Sequence, residues 1–256
     1  MAHRTRKQRH PAAARDRTAA GNRAPSAPRP GRVRRIVSRV SRAALWAAGA
    51  VTLWVGSYTV INPPGGYYMA AEAFRLGGVE RDWVGMDAIS PDLARAVMAA
   101  EDANFCDHHG FDLEAIREAI ERNADGRRTR GASTISQQVA KNLFLWHGRS
   151  WLRKGLEAGF TVLIEAIWTK RRTLEIYLNT AEFGPGIFGA EAAARHYYRR
   201  SAAELTPAQA ARLAAVLPDP KDRDPRSGSG FLQRRANAIA RGADTLAAEG
   251  RSGCIE

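Results

Sequence analysis

Residues 100–112 read AEDANFCDHHGFD and residues 131–143 read GASTISQQVAKNL. In the first stretch Glu101 and Asp102 close a run whose preceding turns are apolar, with Ala96, Val97 and Met98. A carboxylate there is partly desolvated, which raises its pKa and suits it to proton transfer. Decoration of a helix end explains the two acids as well on this stretch alone, although acids near a helix C-terminus sit unfavourably in its dipole. His108 and His109 have no third ligand at a matching spacing, so one of the pair reads as holding the loop by hydrogen bonding rather than the two as a metal site. The second stretch starts a helix with unusually many polar residues: Ser133, Thr134, Gln137, Gln138, Lys141 and Asn142. Gln137 and Lys141, four apart, share a face. Backbone N–H groups at a helix start, with a lysine one or two turns on, suit an anion such as phosphate. The glycine spacing is not that of a Walker loop. A solvated polar face is the competing reading.

Outward from these stretches the pattern is helical. Ser90-Pro91 is a cap followed by proline and opens a helix through about residue 103. Asp112 is positioned to cap a second helix, with Leu113, Ile116 and Ile120 on one face. Ser133 is positioned to cap a third, with Ile135, Val139 and Leu143 at four-residue spacing. A long periodic stretch covers about 151–180. Thr206-Pro207-Ala208-Gln209 fits a capping box for a helix ended by Pro218, and a last helix spans 231–248. No alternating strand run and no internal repeat is visible. The polar, glycine-containing segment Asn123–Arg130 reads as a pliable loop.

Two further clusters follow. Residues 149–157, RSWLRKGLE, place Arg153 and Glu157 four apart on one helical face, with Arg149 and Lys154 adding positive charge. This is either a surface ion pair of a few tenths of a kcal/mol or a basic group for a diphosphate beside a second acid. Residues 170–198, KRRTLEIYLNTAEFGPGIFGAEAAARHYY, put Leu174, Tyr177 and Leu178 at core spacing. Most of that segment reads as structural, holding a cleft together.

Charge is distributed unevenly. Residues 1–42 hold 13 Lys and Arg and one acid, Asp16, whereas residues 43–256 hold 26 basic and 25 acidic residues. The formal charge of +13 therefore belongs to a tail, and the nearly neutral body argues against a globular nucleic-acid-binding domain. Segment 4–35 is rich in Arg, Ala and Pro and has too little apolar area to offset its ordering entropy. Residues 43–61, AALWAAGAVTLWVGSYTVI, carry no charge. As a helix they rise about 28 Å, close to the ~30 Å hydrocarbon core of a bilayer, and read as a retained membrane anchor. Arginines before the span, with no similar cluster after it, place the amino terminus in the cytoplasm and the body outside the inner membrane. Asn62-Pro63-Pro64-Gly65-Gly66 starts a linker. Cys106 and Cys254 are too few for a disulfide scaffold or a cysteine zinc site and leave the redox compartment open; Cys106 reads as a packing residue.

Taken in order, the four clusters resemble the peptidoglycan glycosyltransferases of glycosyltransferase family 51, and among them the monofunctional membrane-anchored members of Gram-negative bacteria. The resemblance runs from about Trp83 to Pro220. The motif E-D-x-x-F-x-x-H-x-G-x-D is matched by Glu101, Asp102, Phe105, His108, Gly110 and Asp112. G-G-S-T-I-T-Q-Q followed by K-N is matched by Gly131, Ser133, Thr134, Ile135, Gln137, Gln138, Lys141 and Asn142, with Ala132 and Ser136 as departures. R-K-x-x-E is Arg153, Lys154 and Glu157. K-x-x-I-L-E-x-Y-L-N is Lys170, Leu174, Glu175, Tyr177, Leu178 and Asn179, with Thr173 in place of isoleucine.

The resemblance implies a mainly α, lysozyme-like fold in two lobes around a cleft, preceded by one transmembrane helix. It implies polymerisation of lipid II into β-1,4-linked glycan, with inversion at the MurNAc anomeric carbon and release of undecaprenyl diphosphate. By position, Glu101 is the catalytic base and Glu157 the second acid. Asp102, Ser133, Gln137, Lys141, Asn142, Arg149, Arg153 and Lys154 are the substrate-binding set. No cofactor is required, and a divalent cation, Mg or Mn, is plausible beside Glu157 from the resemblance alone. Implied partners are lipid II, the growing glycan strand, the inner membrane and cell-wall synthesis proteins, with no nucleic acid. The chain then divides into a basic cytoplasmic tail (1–42), a transmembrane helix (43–61), a linker (62–82), a periplasmic glycosyltransferase domain (83–248) and a tail (249–256). Leu143-Phe144-Leu145-Trp146 with Trp151 is the candidate membrane-facing patch, ordinary core being its alternative. No Ser-x-x-Lys or Lys-Thr-Gly is present, so the serine acyl-transfer chemistry of penicillin-binding proteins is not expected. The competing readings are a glycan-cleaving enzyme on a related fold and a non-enzymatic cell-wall scaffold.

Overall fold

The computed structural model describes residues 31–124, 133–146, 148 and 150–256. Residues 1–30, 125–132, 147 and 149 lie outside them, and with them most of the segment expected to be a pliable loop, Gly131 and Ala132 of the second motif, and Arg149. The chain divides into two units after Trp46. In the first unit the described residues form the start of helix α1 (Arg32–Ser57), which includes Arg34, Arg35, Arg39 and Arg42.

The uncharged stretch 43–61 is helical only to Ser57, after which Tyr58–Val60 form a turn. The helical part rises about 22 Å, short of a ~30 Å hydrocarbon core, and is diluted by alanine and glycine. Among the described residues no helix is long and apolar enough to cross a membrane.

The second unit, Ala47–Glu256, is mainly helical. It continues with α2 (Tyr67–Leu76), α3 (Pro91–Glu101), α4 (Leu113–Ala124), α5 (Ile135–Phe144) and α6 (Trp151–Ile167). These are followed by α7 (Lys170–Thr180), α8 (Ala190–Tyr198), α9 (Pro207–Val216) and α10 (Gly230–Ala248). Three strands too short to give an alternating pattern also form: β1 (Glu80–Arg81), β2 (Glu182–Gly184) and β3 (Ile187–Phe188). The sheet order is β1-β3-β2, with β1 parallel to β3 (Glu80 opposite Ile187) and β2 antiparallel to it.

Local signals explain the helix starts. Ser90 Oγ accepts from Asp92 N, and Asp112 Oδ1 accepts from Ala115 N at 2.8 Å. Thr206 and Gln209 form the expected capping box. At α5 the cap is Thr134 rather than Ser133, because Gln137 lies three residues on and completes a reciprocal box with Thr134. The stretch 151–180 is two helices, since Thr169 caps Arg172 N and starts α7 afresh. The expected apolar face of α4 is not buried: Leu113 is 73% and Ile120 65% exposed.

Two helix groups make the body. Helices α3, α9 and α10 pack together, and α5 packs on α6 and α7. Gly242 of α10 faces Ala99 of α3, where an added Cβ would lie 3.1 Å from the alanine methyl. Leu93, Val97, Met98, Leu213 and Ile239 fill the first group, and Ile135, Val139, Ile164, Leu174 and Leu178 the second. Asn179, buried, accepts from Val84 N at 3.0 Å and donates to Val84 O and Glu175 O at 2.9 and 2.8 Å. These bonds give Asn179 a structural role, tying α7 to the segment before α3.

Three segments depart from expectation. The linker 62–82 contains α2 and β1, and Gly66 presses on α5 so closely that a Cβ would fall 1.7 Å from Asn142 O. The end of α1 is docked, with Trp168 Nε1 donating to Val55 O (2.9 Å) and Arg172 donating to Tyr58 O and Ile61 O (2.9 Å each). Phe144 stacks on Phe160 with Trp54 edge-on to it. Leu143 and Leu145 are thus core, and of the candidate membrane-facing patch only Trp146 and Trp151 are exposed, Trp151 at 93%. Finally, Cys106 is not a simple packing residue. It is disulfide-bonded to Cys254, across 148 residues of sequence, and the tail 249–256 is thereby tied into the body.

Candidate active site

Glu101 is the last residue of α3, and its side chain is enclosed where α3 meets α5 and α10. Gln138 Nε2 of α5 donates to Glu101 Oε2 at 3.0 Å, and Arg235 of α10 lies 3.9 Å from Oε1. Tyr177 of α7, almost wholly buried, donates its hydroxyl to Gln138 Oε1 at 3.2 Å. That bond sets the amide so that its N–H₂ faces the carboxylate. Burial pushes the Glu101 pKa above the ordinary carboxylate range, while Gln138, Arg235 and Lys141 pull it back. The result is an acid kept ionisable in a desolvated place.

Asp102, expected in the substrate-binding set, spends both oxygens on the protein. Oδ1 pairs with His108 Nε2 at 2.9 Å and Oδ2 accepts from Ile135 N at 3.0 Å, which fastens the loop 102–112 to the start of α5. His108 is the loop-holding histidine. Gln137 is likewise buried and accepts from Thr134 N through Oε1, as part of the cap. Ser133 is exposed at the mouth of α5, and Asn142 is half-buried beneath Gly66.

Glu157 of α6 is 3% exposed. Arg153 donates to its Oε2 at 3.0 Å, and Lys154 pairs with Oε1. Arg153 is held in turn by Gly148 O at 2.7 Å. The acid is buried, Arg153 is half-buried and Lys154 reaches in from the exposed face, so this is more than a surface pair. Lys141 of α5 connects the two acids electrostatically. Burial lowers its pKa, Glu157 raises it, Arg153 and Lys154 lower it, and Glu101 raises it. The charges of Glu101, Glu157, Arg153 and Lys154 all act on Lys141, the group of residues that the family resemblance implied. Both oxygens of Glu157 are committed to cations, and no group of three or more His, Cys, Asp or Glu gathers among the described residues. This donor set does not fit the divalent cation considered beside Glu157, and no step is routed through one.

One contributor had no signal in the sequence reading of the site, and the role of a second was hidden. Arg235 lies beyond the four motifs, and only the packing of α10 on α3 brings it to Glu101. Gln138 was visible as a polar helix-start residue, but its face toward Glu101 depends on Tyr177.

The family model described as Transglycosylase matches residues 70–244. The chain belongs to the transglycosylase family. It is 57% identical over 212 residues to the biosynthetic peptidoglycan transglycosylase of Jannaschia sp. (strain CCS1), covering 82% of this chain and 87% of that one. It is 50% identical over 218 residues to the protein of that name from Rhodospirillum centenum, covering 84% and 94%. To that of Xanthomonas campestris pv. campestris (strain B100) it is 49% identical over 228 residues, covering 86% and 93%. The family and the names of these relatives support peptidoglycan glycosyltransferase activity. The scaffold and glycan-cleaving readings give way to it.

Proposed function

We propose that this transglycosylase polymerises lipid II, with Glu101 as general base. Glu101 takes the proton of the acceptor GlcNAc 4-hydroxyl, and that oxygen attacks C1 of the donor MurNAc. The α-linked diphosphate is displaced with inversion, giving a β-1,4 bond and undecaprenyl diphosphate. Lys141, Arg153 and Lys154 offset the charge that grows on the leaving group, while Glu157 orients Arg153 and Lys154. Arg149, Ser133 and Asn142 complete the proposed substrate-binding set. The lysozyme-like, two-lobed description belongs to this proposal, with the α3–α9–α10 group and the α5–α6–α7 group as the two sides.

The observation that carries the reading is buried Glu157 with Arg153 on one carboxylate oxygen and Lys154 on the other. Cations gathered on an acid that is not itself the base suit a reaction that removes a proton at one group and releases a diphosphate beside another. A glycan-cleaving enzyme has no use for that cluster.

The same proposal places the enzyme at the inner membrane, with the tail cytoplasmic and the domain periplasmic. The basic tail and uncharged stretch 43–61 support this, as do exposed Trp151 and Leu152 at the start of α6. The Cys106–Cys254 bond supports it independently, because structural disulfides persist in oxidising compartments and are rare in the cytosol. The test is gel analysis of products from labelled lipid II incubated with the full chain, with and without moenomycin, the phosphoglycolipid inhibitor of this family. Moenomycin-sensitive glycan ladders are expected. No polymer from lipid II, or shortening of mature peptidoglycan instead, overturns the assignment.

A further inference from the structure

The loop that leaves Glu101 is gripped on two sides by different parts of the chain. One side is the site itself: Asp102 on Ile135 N and His108, Lys170 Nζ donating to His108 O at 2.6 Å, and Thr134 Oγ1 donating to Gly110 O at 2.7 Å. The other side is the segment 249–256. Cys254 is bonded to Cys106, in the middle of the loop. Arg251 donates to Ala103 O at 3.2 Å and to Asn104 Oδ1, and lies 3.6 Å from Asp107 Oδ2. The segment is itself seated, with Ser252 and Ile255 buried and Arg251 N donating to Leu246 O at 2.9 Å. Both disulfide residues are half-buried, so the bond is within reach of solvent.

We propose that segment 249–256, through the Cys106–Cys254 disulfide and Arg251, is a positioning clamp for Glu101, so that turnover depends on the redox state of this cysteine pair. The inference rests on the reading of Glu101 as the base. Glu101 is followed directly by Asp102, which ends α3, and Ala103 to Asp107 then carry every clamp contact. A shift in that loop is passed through one residue to the carboxylate that must meet Gln138, Arg235 and the acceptor hydroxyl. Misplacement of a reacting group by about 1 Å can cost on the order of 10²-fold. To form the bond, the two thiols lose two protons and two electrons. The electrons go to a thiol–disulfide oxidoreductase in its disulfide form, which becomes a dithiol; a dithiol reductant reverses the exchange.

The experiment compares the full chain in its oxidised form, the same protein reduced with a phosphine, the C106A/C254A double variant and R251A. Lipid II polymerisation is followed as kcat, KM and the pH profile of kcat/KM, at a temperature where circular dichroism shows each protein folded. We expect reduction and C106A/C254A each to lower kcat about tenfold, with KM within twofold and the acidic limb of the profile displaced. Phosphine should have no further effect on C106A/C254A. R251A, which keeps the disulfide, should move kcat in the same direction by a smaller factor. A folded C106A/C254A protein with kcat and pH profile within twofold of the oxidised enzyme overturns the clamp. Should C106A/C254A fail to fold, R251A decides, and an unchanged kcat and pH profile in it overturns the clamp. An oxidised enzyme that does not polymerise lipid II at all overturns the assignment of function, and the clamp with it.

Discussion

Gln138 reaches Glu101 with its N–H₂ group, 3.0 Å from Oε2, because its carbonyl end is already taken by the Tyr177 hydroxyl. The acid is thereby given one donor of fixed orientation in a place that otherwise disfavours its charge. The chemistry proposed for Glu101 depends on that balance, and the following predictions probe it.

Glu101→Gln should abolish polymerisation, by at least ~10²–10⁴-fold if only the proton transfer is lost, while the protein folds. The folded-state pKa of Glu101 is raised, so the folded protein binds its proton more tightly than the unfolded chain does. That penalises folding once the pH exceeds the ordinary value of 4.5, and fully above the raised pKa. The Gln variant should therefore melt at the same or a higher temperature at pH 7.5, with the difference fading near pH 4. A lower melting temperature at neutral pH would contradict the burial argument.

Arg235→Ala removes a cation that favours the ionised form of Glu101. The base is active when deprotonated, so activity falls as pH drops through its pKa. Loss of Arg235 should move the acidic limb of kcat/KM to higher pH, and Arg235→Lys should move it less. An acidic limb that stays put or moves down would remove Arg235 from the site.

Glu157→Ala strands Arg153 and Lys154 beside a buried hole. We expect a stability loss of about 3 kcal/mol, read by chemical denaturation, together with a large fall in kcat. Glu157→Gln should recover most of the stability and little of the activity. Activity that returned with stability in Glu157→Gln would argue that Glu157 acts only through packing.

Gly66→Ala tests the approach of the 62–66 segment to α5. Its Cβ would meet Asn142 O and the Leu143 backbone, neither of which is a movable side-chain end. A destabilisation of about 1–3 kcal/mol is expected, measured as a drop in denaturation midpoint. Substitution at Gly228, where an added Cβ meets nothing within 4 Å, is the control and should be silent.

Much of this site could be read from spacing alone. The caps at Ser90, Asp112 and Thr206 were legible because capping is a local interaction. The pairing of Arg153 with Glu157 was legible because four residues are one helical turn. Spacing could not tell a surface pair from one on a buried acid, since burial is decided by what packs on top. Ser133 was taken for the cap of α5 because both Ser133 and Thr134 are good caps; the position of Gln137 decides between them. The strands escaped because two or three residues make no alternation. Arg235 and the Cys106–Cys254 bond were hidden because each joins the first motif to a distant part of the chain, and nothing local records such a meeting. The uncharged stretch 43–61 matched a bilayer by length, but the turn at Tyr58–Val60 shortens its helix.

The reach of Arg235 and Cys254 back to the end of α3 has a consequence for biogenesis. A nascent polypeptide that has emerged only as far as α7 already holds both acids and most of the cations, yet it lacks the guanidinium beside Glu101 and the cross-link beneath the adjoining loop. The surroundings of Glu101 are therefore completed only when the last helix and the final segment of the chain have been made.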